Sequence, residues 1–269
     1  PTAGGMMRFG IPKYRLPREV LDQEVQRIVN MGVELKLNTK VDNILETMQE
    51  GKFDAAFLAV GAHIGKRTNI PAGAVSKIVD AVSVLRSMEG EEKPMLGRRV
   101  IVYGGGNTAI DVARTAKRMG AEPIIVYRRT RDKMPAHDFE VEEALEEGVM
   151  MKWLSTIKSM DSGEITVEKM KLDEQGRPVG TGEFEKLEAD SLVLALGQDV
   201  DLSLLDGVPG LEVTEVADRA GGPGIAVQRR AHRGGGADRA RGAGIATEFL
   251  RGRRVCRVGR RAVADRVRV

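Results

Sequence analysis

Val100-Ile101-Val102-Tyr103-Gly104-Gly105-Gly106-Asn107-Thr108-Ala109 is the stretch on which the reading of this chain turns. An apolar run enters a glycine turn. A helical pattern leaves it, with Ala109, Val112, Ala113, Ala116 and Met119 on one stripe. A second apolar run, Ile124-Ile125-Val126-Tyr127, then ends in Arg128 and Arg129. Strand, glycine turn, helix and second strand in this order form the unit that binds a dinucleotide. Gly104 permits the tight turn, and Gly106 lets backbone approach a pyrophosphate. Ala109, in place of a third glycine, lets the helix pack close to the strand. The free N–H groups and positive dipole end of the helix suit phosphates. The competing reading is an ordinary tight turn between strand and helix.

The end of the second strand carries the cofactor preference. A unit that prefers NAD has Asp or Glu there, accepting from the ribose 2′-hydroxyl. Arg128 and Arg129 would instead grip a 2′-phosphate, which favours NADP. The alternative is a solvated arginine pair at a strand end.

Composition bounds the class. The 269 residues are 42% apolar, enough for a core in one large domain or two small ones. No apolar run approaches the ~18–20 residues of a membrane span. The first residues, Pro1-Thr2-Ala3-Gly4-Gly5, lack the apolar segment of a secretory signal and do not start with Met, so a start within a longer protein is expected. Cys256 is the one cysteine. These 269 residues therefore hold no internal disulfide, no C-x-x-C pair and no cysteine set for an iron–sulfur cluster, a usage compatible with a cytoplasmic location. His63, His137 and His232 have no metal-ligand spacing, and no metal site is expected.

Elements can be placed along the chain. Residues 17–31 read as a helix with Pro17 in its first turn and Val20, Leu21, Val25 and Ile28 at helical spacing. Val33 to Val41 alternates like a strand, and Phe53 to Gly61 reads as a fully buried strand. Asp80 is placed to cap a helix over Ala81–Glu89. Pro135 opens an acidic helix ended by Gly148, its acid run read as a solvated face. Val149 to Glu188 reads as a β-meander. Ala189 to Gly197 repeats the form of residues 53–61, and the two strands read as two crossings between nucleotide domains. Residues 218–269 carry 14 arginines, no lysine and 4 acidic residues; this +10 leaves the first 217 residues at −7 of the total +3. Three origins stay open for that Arg/Gly-rich tail: a frame change in GC-rich DNA, a disordered basic tail, or a folded element without a sustained apolar face.

With these residues laid out, the chain resembles the NADPH-dependent oxidoreductases related to the glutamate synthase small (beta) subunit. This flavoprotein group, with two dinucleotide-binding domains, includes the NADPH-oxidising half of dihydropyrimidine dehydrogenase. The resemblance spans roughly residues 4–215. It rests on Gly4-Gly5-Met6-Met7-Arg8-Phe9-Gly10-Ile11-Pro12-Lys13-Tyr14-Arg15-Leu16-Pro17, the Gly104–Ala109 turn, Tyr127-Arg128-Arg129 and Met134-Pro135-Ala136. It implies an α/β fold in which a Rossmann-like NADP domain (66–198) is inserted in an incomplete FAD domain (1–65 and 199–217), followed by the tail (218–269). It implies that Gly5, Met6 and Arg15 lie beside the flavin and Val41 near its adenosine half, although core packing alone accounts for Met6 and Val41. Gly105, Gly106, Asn107 and Thr108 would hold the NADPH pyrophosphate, Arg128 and Arg129 the 2′-phosphate. Ala195, Leu196 and Gly197 would line the nicotinamide side. The family's upstream FAD glycine turn and its late G-[VI]-F-A-x-G-D turn are not found, so the FAD site is expected to be incomplete.

By resemblance the protein would pass a hydride from NADPH to FAD, and electrons onward to an iron–sulfur or amidotransferase-type partner subunit. Hydride transfer asks no acid, base or nucleophile of the protein, and no catalytic side chain is assigned. Two other readings stand beside this one. The chain could bind NADP(H) with no flavin and no turnover. The arginine tail could bind nucleic acid, a reading disfavoured because Arg229–Gly236 has no interleaved aromatic residue.

Overall fold

The structure is a computed structural model that describes residues 2–73, 77–90, 93–206, 208–209, 211–217, 223–229 and 244–247. Helices α1 (Gly5–Phe9), α2 (Arg18–Asn30) and α3 (Ile44–Glu50) precede strands β1 (Ala55–Leu58), β2 (Ile64–Gly65) and β3 (Ile78–Asp80). There follow α4 (Ala81–Ser87), β4 (Arg99–Tyr103), α5 (Asn107–Arg118), β5 (Glu122–Val126), α6 (Asp138–Glu146) and β6 (Met150–Lys152). Strands β7 (Ser155–Asp161), β8 (Glu164–Leu172), β9 (Pro178–Glu188), β10 (Ser191–Leu194) and β11 (Gln198–Asp199) come next, then β12 (Leu211–Ala217), β13 (Pro223–Arg229) and β14 (Gly244–Thr247).

The chain divides into two compact units. The first joins residues 1–38 to 62–199. Its centre is a five-stranded parallel sheet in the order β3-β10-β4-β5-β6. Three consecutive strand–helix–strand steps, each right-handed by rule, put α4, α5 and α6 on one face. There Val100, Val102 and Val193 pack against Ala109, Ile110, Ala113 and Val141. Strand β10 lies back across the sheet from β6, so its connection crosses the other face. That connection is the antiparallel meander β7-β8-β9. Its Ile157, Met160, Ile165 and Val167 cover Ile101, Val126, Leu192 and Leu194. Alternate residues of β4 thus feed two separate cores, and Val100, Ile101 and Val102 are all fully buried. The Asp190 carboxylate ties the starts of β10 and β4 together, accepting from the Arg98 and Arg99 N–H groups at 2.7 and 2.8 Å.

The second unit joins residues 39–61 to the described residues after 199. Asn43 caps α3 by accepting from the N–H groups of Leu45 and Glu46. Ile44, Met48 and Leu205 form a small core with Ala56 and Leu58 beside it. Strand β1 pairs in parallel with β14, and β12 pairs antiparallel with β13.

Several expectations change. Residues 33–41 form no strand; Val33, Leu35 and Leu37 are exposed, and among the described residues no strand lies beside them to complete a ladder. Strand β1 is shorter than residues 53–61 and only half-buried, with Phe57 60% exposed. β10 is an interior strand of the parallel sheet, not a crossing. The two chain passages meet just beyond it, where β2 pairs antiparallel with β11. The acidic helix α6 begins at Asp138, three residues after Pro135; Asp138, Glu142 and Glu143 of its acid run are exposed, as expected of a solvated face, but Glu140 is fully buried. The tail reading of 218–269 falls mostly outside the described residues; within it β13 and β14 are strands.

Gly104 has φ +150°, and a Cβ on it would overlap the carbonyl oxygen of Ala195. Gly106 has ordinary extended φ and ψ of −91° and 175°, and the nearest neighbour of a Cβ at that position would be Pro135 Cγ at 4.0 Å. Gly104→Ala should therefore lower the unfolding free energy by about 2–4 kcal/mol through strain and overpacking. Gly106→Ala should change it by less than about 1 kcal/mol. Urea denaturation of the two variants checks the contrast, and equal losses would refute it.

Candidate functional site

Strand register builds the site. Tyr103, the last residue of β4, stands opposite Val126 of β5 and Leu194 of β10. The residues that follow these three (Gly104, Tyr127 and Ala195) therefore converge at the carboxyl edge of the parallel sheet, the edge at which such sheets take ligands. The Gly104 N–H donates to Val126 O at 3.1 Å, and the Ala195 N–H donates to Tyr103 O at 2.9 Å. A Cβ on Gly105 would meet the Tyr127 ring at 2.5 Å. The turn is thus wedged between the ends of its two neighbouring strands, which is why positions 104 and 105 have no room for a side chain.

Gly106 is the N-cap of α5 and no side chain caps its first amides. Those N–H groups are left for an external acceptor. The wall facing the turn is Met134-Pro135-Ala136-His137. The Ala136 N–H donates to Gly105 O at 3.1 Å, and the His137 N–H donates to Asn107 Oδ1 at 3.1 Å. Asn107 therefore ties the wall to the turn instead of capping its own helix. Trp153 Nε1 donates to Met134 Sδ at 3.2 Å behind this wall. Ala109 is fully buried beneath the turn, as close helix–strand packing requires.

Arg128 is exposed beyond β5 and Arg129 is half-buried. The Arg129 Nε is buried with no hydrogen-bond partner. A buried donor without an acceptor is rare in folded proteins and marks a place where an anion would be welcome. Burial pushes the Tyr127 hydroxyl up from its ordinary pKa, and Arg129 and Arg128 draw it back. The same hydroxyl donates to Lys133 O at 2.7 Å, holding the loop after the arginines. Beyond β10, Gly197 adopts φ +103° and its carbonyl accepts from the Lys66 N–H at 3.0 Å, so Ala195, Leu196 and Gly197 leave the sheet beside the turn.

The residues assigned to a flavin fall in both compact units. Gly5 and Met6 lie in α1, which packs on α2 and α4, and the space where a Gly5 Cβ would stand is open. Val41 is exposed and belongs to the second unit. The Arg15 guanidinium is engaged elsewhere: Nη1 donates to both Asp111 oxygens at 2.7 Å, and Nη2 pairs with Glu140.

Asp111, Glu140 and Arg114 were not singled out by sequence reasoning, yet they are buried charges next to the turn. Their signal was spacing. Asp111, Arg114 and Arg118 on α5 match Glu140 and Glu143 on α6 and Glu147 at its C-cap, both sets at i, i+3 and i+7. Arg114 pairs with Glu143 and Glu147 at 2.6 Å, and Arg118 with Glu147 at 2.6 Å. Burial pushes the Asp111 carboxyl up to about 6, against the pull of Arg15. Among the described residues no cluster of His, Cys, Asp and Glu could hold a metal ion, and no helix is long and apolar enough to cross a membrane.

Known proteins agree with this architecture. The chain is 40% identical over 225 residues to the NADP(+)-dependent formate dehydrogenase subunit beta of Moorella thermoacetica, covering 77% of this chain and 32% of that protein. It is 32% identical over 223 residues to the glutamate synthase [NADPH] small chain of Escherichia coli (strain K12), covering 73% and 47%. It thus spans about a third to a half of these curated relatives. The solved structure of the FprA His57Gln mutant from Mycobacterium tuberculosis superposes with a TM-score of 0.62 over 80% of this chain and 65% of that one, at 19% identity, a likeness of fold. Residues 13–221 match the family described as Pyridine nucleotide-disulphide oxidoreductase, whose members bind FAD and NAD(P)H. With its α/β fold of the two-dinucleotide-domain flavoprotein type, this chain belongs to the pyridine nucleotide-disulphide oxidoreductase family.

Proposed function

We propose that the chain is the NADP(H)-binding part of an NADPH-dependent flavin oxidoreductase subunit of the glutamate synthase small-subunit type. The observation that carries this reading is the pairing of an uncapped helix start at Gly106 with an open Cβ position there and an orphaned Arg129 Nε at the next strand end. A pyrophosphate fits the first and a 2′-phosphate the second. On this reading Gly105, Gly106, Asn107 and Thr108 hold the pyrophosphate through backbone N–H groups. Arg128 and Arg129 take the 2′-phosphate, and Ala195, Leu196 and Gly197 border the nicotinamide.

Bound NADPH supplies a hydride and bound FAD accepts it. The protein's work is to orient the rings and exclude water, which needs no titrating side chain. The family name mentions disulphides, but these 269 residues contain only Cys256 and so no cysteine pair of their own. Passing electrons to an iron–sulfur or amidotransferase-type partner fits the relatives' names, which describe a subunit beta and a small chain. The second reading, NADP(H) binding without flavin, is favoured by one contrast. The described residues form a cradle at Gly106, whereas the Arg15 guanidinium that resemblance set beside the flavin is engaged by Asp111 and Glu140.

Replacing Arg128 and Arg129 together with Ala should weaken NADPH binding by roughly tenfold or more while NADH binding changes little, since only the former carries the phosphate. Equal losses for the two nucleotides would remove the 2′-phosphate assignment. Gly106→Val should keep the circular dichroism of the fold and lose NADPH binding, because its branches fill the pyrophosphate's place. Wild-type affinity in that variant would end the cradle reading. Gel filtration after adding FAD, followed by anaerobic NADPH, separates the two functions. A retained flavin band that bleaches marks an oxidoreductase, and NADPH binding with no retained flavin marks a binding module.

A further inference from the structure

Helix α5 starts at the cleft at Gly106 and α6 follows directly from its wall, and charged rungs zip the two helices together. Two rungs pair opposite charges directly: Arg114 with Glu143 and Glu147, and Arg118 with Glu147. The rung nearest the cleft does not. There α5 presents Asp111 and α6 presents Glu140, with side chains 5% and 2% exposed. Two buried carboxylates on facing helices repel and are costly to leave unpaired. The cation between them comes from neither helix. It is Arg15, carried by the Pro12–Leu16 segment that precedes α2. Arg18 holds that segment in shape by donating to the carbonyls of Arg8, Ile11 and Leu16. Tyr14 packs beside it under the guanidiniums of Arg114 and Arg118, at 5.2 and 4.1 Å from its ring centre.

We propose that Arg15 is a positioning residue for the NADP(H) site: by bridging Asp111 and Glu140 it holds the first turns of α5 and α6 together, so that dinucleotide affinity depends on the Pro12–Leu16 segment. The inference rests on reading the glycine turn as that site. It gives Arg15 a task on the nicotinamide-dinucleotide side, whereas resemblance alone had set it beside the flavin. The wall is tied to the turn through Ala136, His137 and Asn107. A spreading of the helix ends at Asp111 and Glu140 therefore moves that wall directly.

The cluster sets one guanidinium, that of Arg15, between two buried carboxylates. Asp111 faces Arg15 and Tyr14 from the segment, Glu140 from α6 and Arg114 from its own helix. Its carboxyl titrates at about 6 in the folded protein, above its ordinary 3.8. A raised folded pKa contributes stability below the ordinary value that is lost as pH rises through about 6. Protonation thus relieves the cluster, and removal of Arg15 is tolerated better in acid than in base.

The test uses the full chain and its Arg15→Met, Arg15→Lys and Arg15→Met/Asp111→Asn/Glu140→Gln variants. NADPH affinity is measured from pH 5.5 to 8, each variant as a ratio to wild type, so that titration of the nucleotide's own phosphate cancels. Arg15→Met should bind between about 3- and 30-fold more weakly at pH 8, with the ratio shrinking towards pH 5.5. Arg15→Lys should recover part of the loss, and the triple variant most of it at every pH. Hydrogen exchange of residues 107–113 and 138–144, measured without nucleotide, should speed up in Arg15→Met and slow again in the triple variant. Wild-type affinity and exchange in Arg15→Met would overturn the inference, as would a loss independent of pH that the triple variant does not rescue. If Arg15→Met fails to fold, the triple variant carries the test: near-wild-type binding supports the bridge, and persistent loss overturns it. A wild-type chain that does not bind NADPH would instead sink the reading of the glycine turn.

Discussion

The close approach of Gly104 to the Ala195 carbonyl constrains everything around it. Strand β4 lies between β10 and β5, so the chain leaving it has no lateral space. Only a residue without a Cβ can turn at positive φ against that carbonyl. The same wedge sets the starting point of α5. Because Gly106 then begins the helix without a capping side chain, the amides that precede Ala109 receive no cap from it. A packing necessity at one glycine thereby leaves hydrogen-bonding capacity open at the next.

The sheet behind the turn is covered asymmetrically, by helices on one face and by the β7–β9 meander on the other. This follows from handedness. Steps that advance from β3 to β6 place their helices on one side, and the return to β10 must cross the opposite side. The return strand brings Ala195–Gly197 beside the turn, so a segment about ninety residues away in sequence supplies one border of the cleft. The helical face carries the buried charges. Arg114 is nearly enclosed, and its paired carboxylate Glu147 is held below the usual carboxylate range by the Arg114 hydrogen bond. Such pairs add little net stability, but losing one partner leaves an uncompensated charge, so they specify how the helices dock.

The apolar residues at 33–37 illustrate how a pattern and a structure part company. Their alternation satisfies every local criterion for a strand. A strand is nevertheless a pairwise object, and alternation within one segment does not supply the second strand that a ladder needs. One residue in the acid run of α6, Glu140, departs in the opposite sense, while Asp138, Glu142 and Glu143 are exposed as read. Glutamates in a polar-looking helix read as solvent-facing, yet Glu140 is buried because a guanidinium from over a hundred residues away meets it.

Local chemistry alone determined much of this protein. The glycine turn, the helix after it, the Asp80 cap, the meander and the arginines after β5 are legible because glycine geometry, apolar period and capping act over a few residues. Tertiary structure decided the rest. It placed β10 inside the sheet, seated Tyr127 and Pro135 around the turn, and gave Arg15 to Asp111 and Glu140. Those outcomes depend on which distant segments share a neighbour, and a buried charge can be recognised only once the group that neutralises it has been brought alongside.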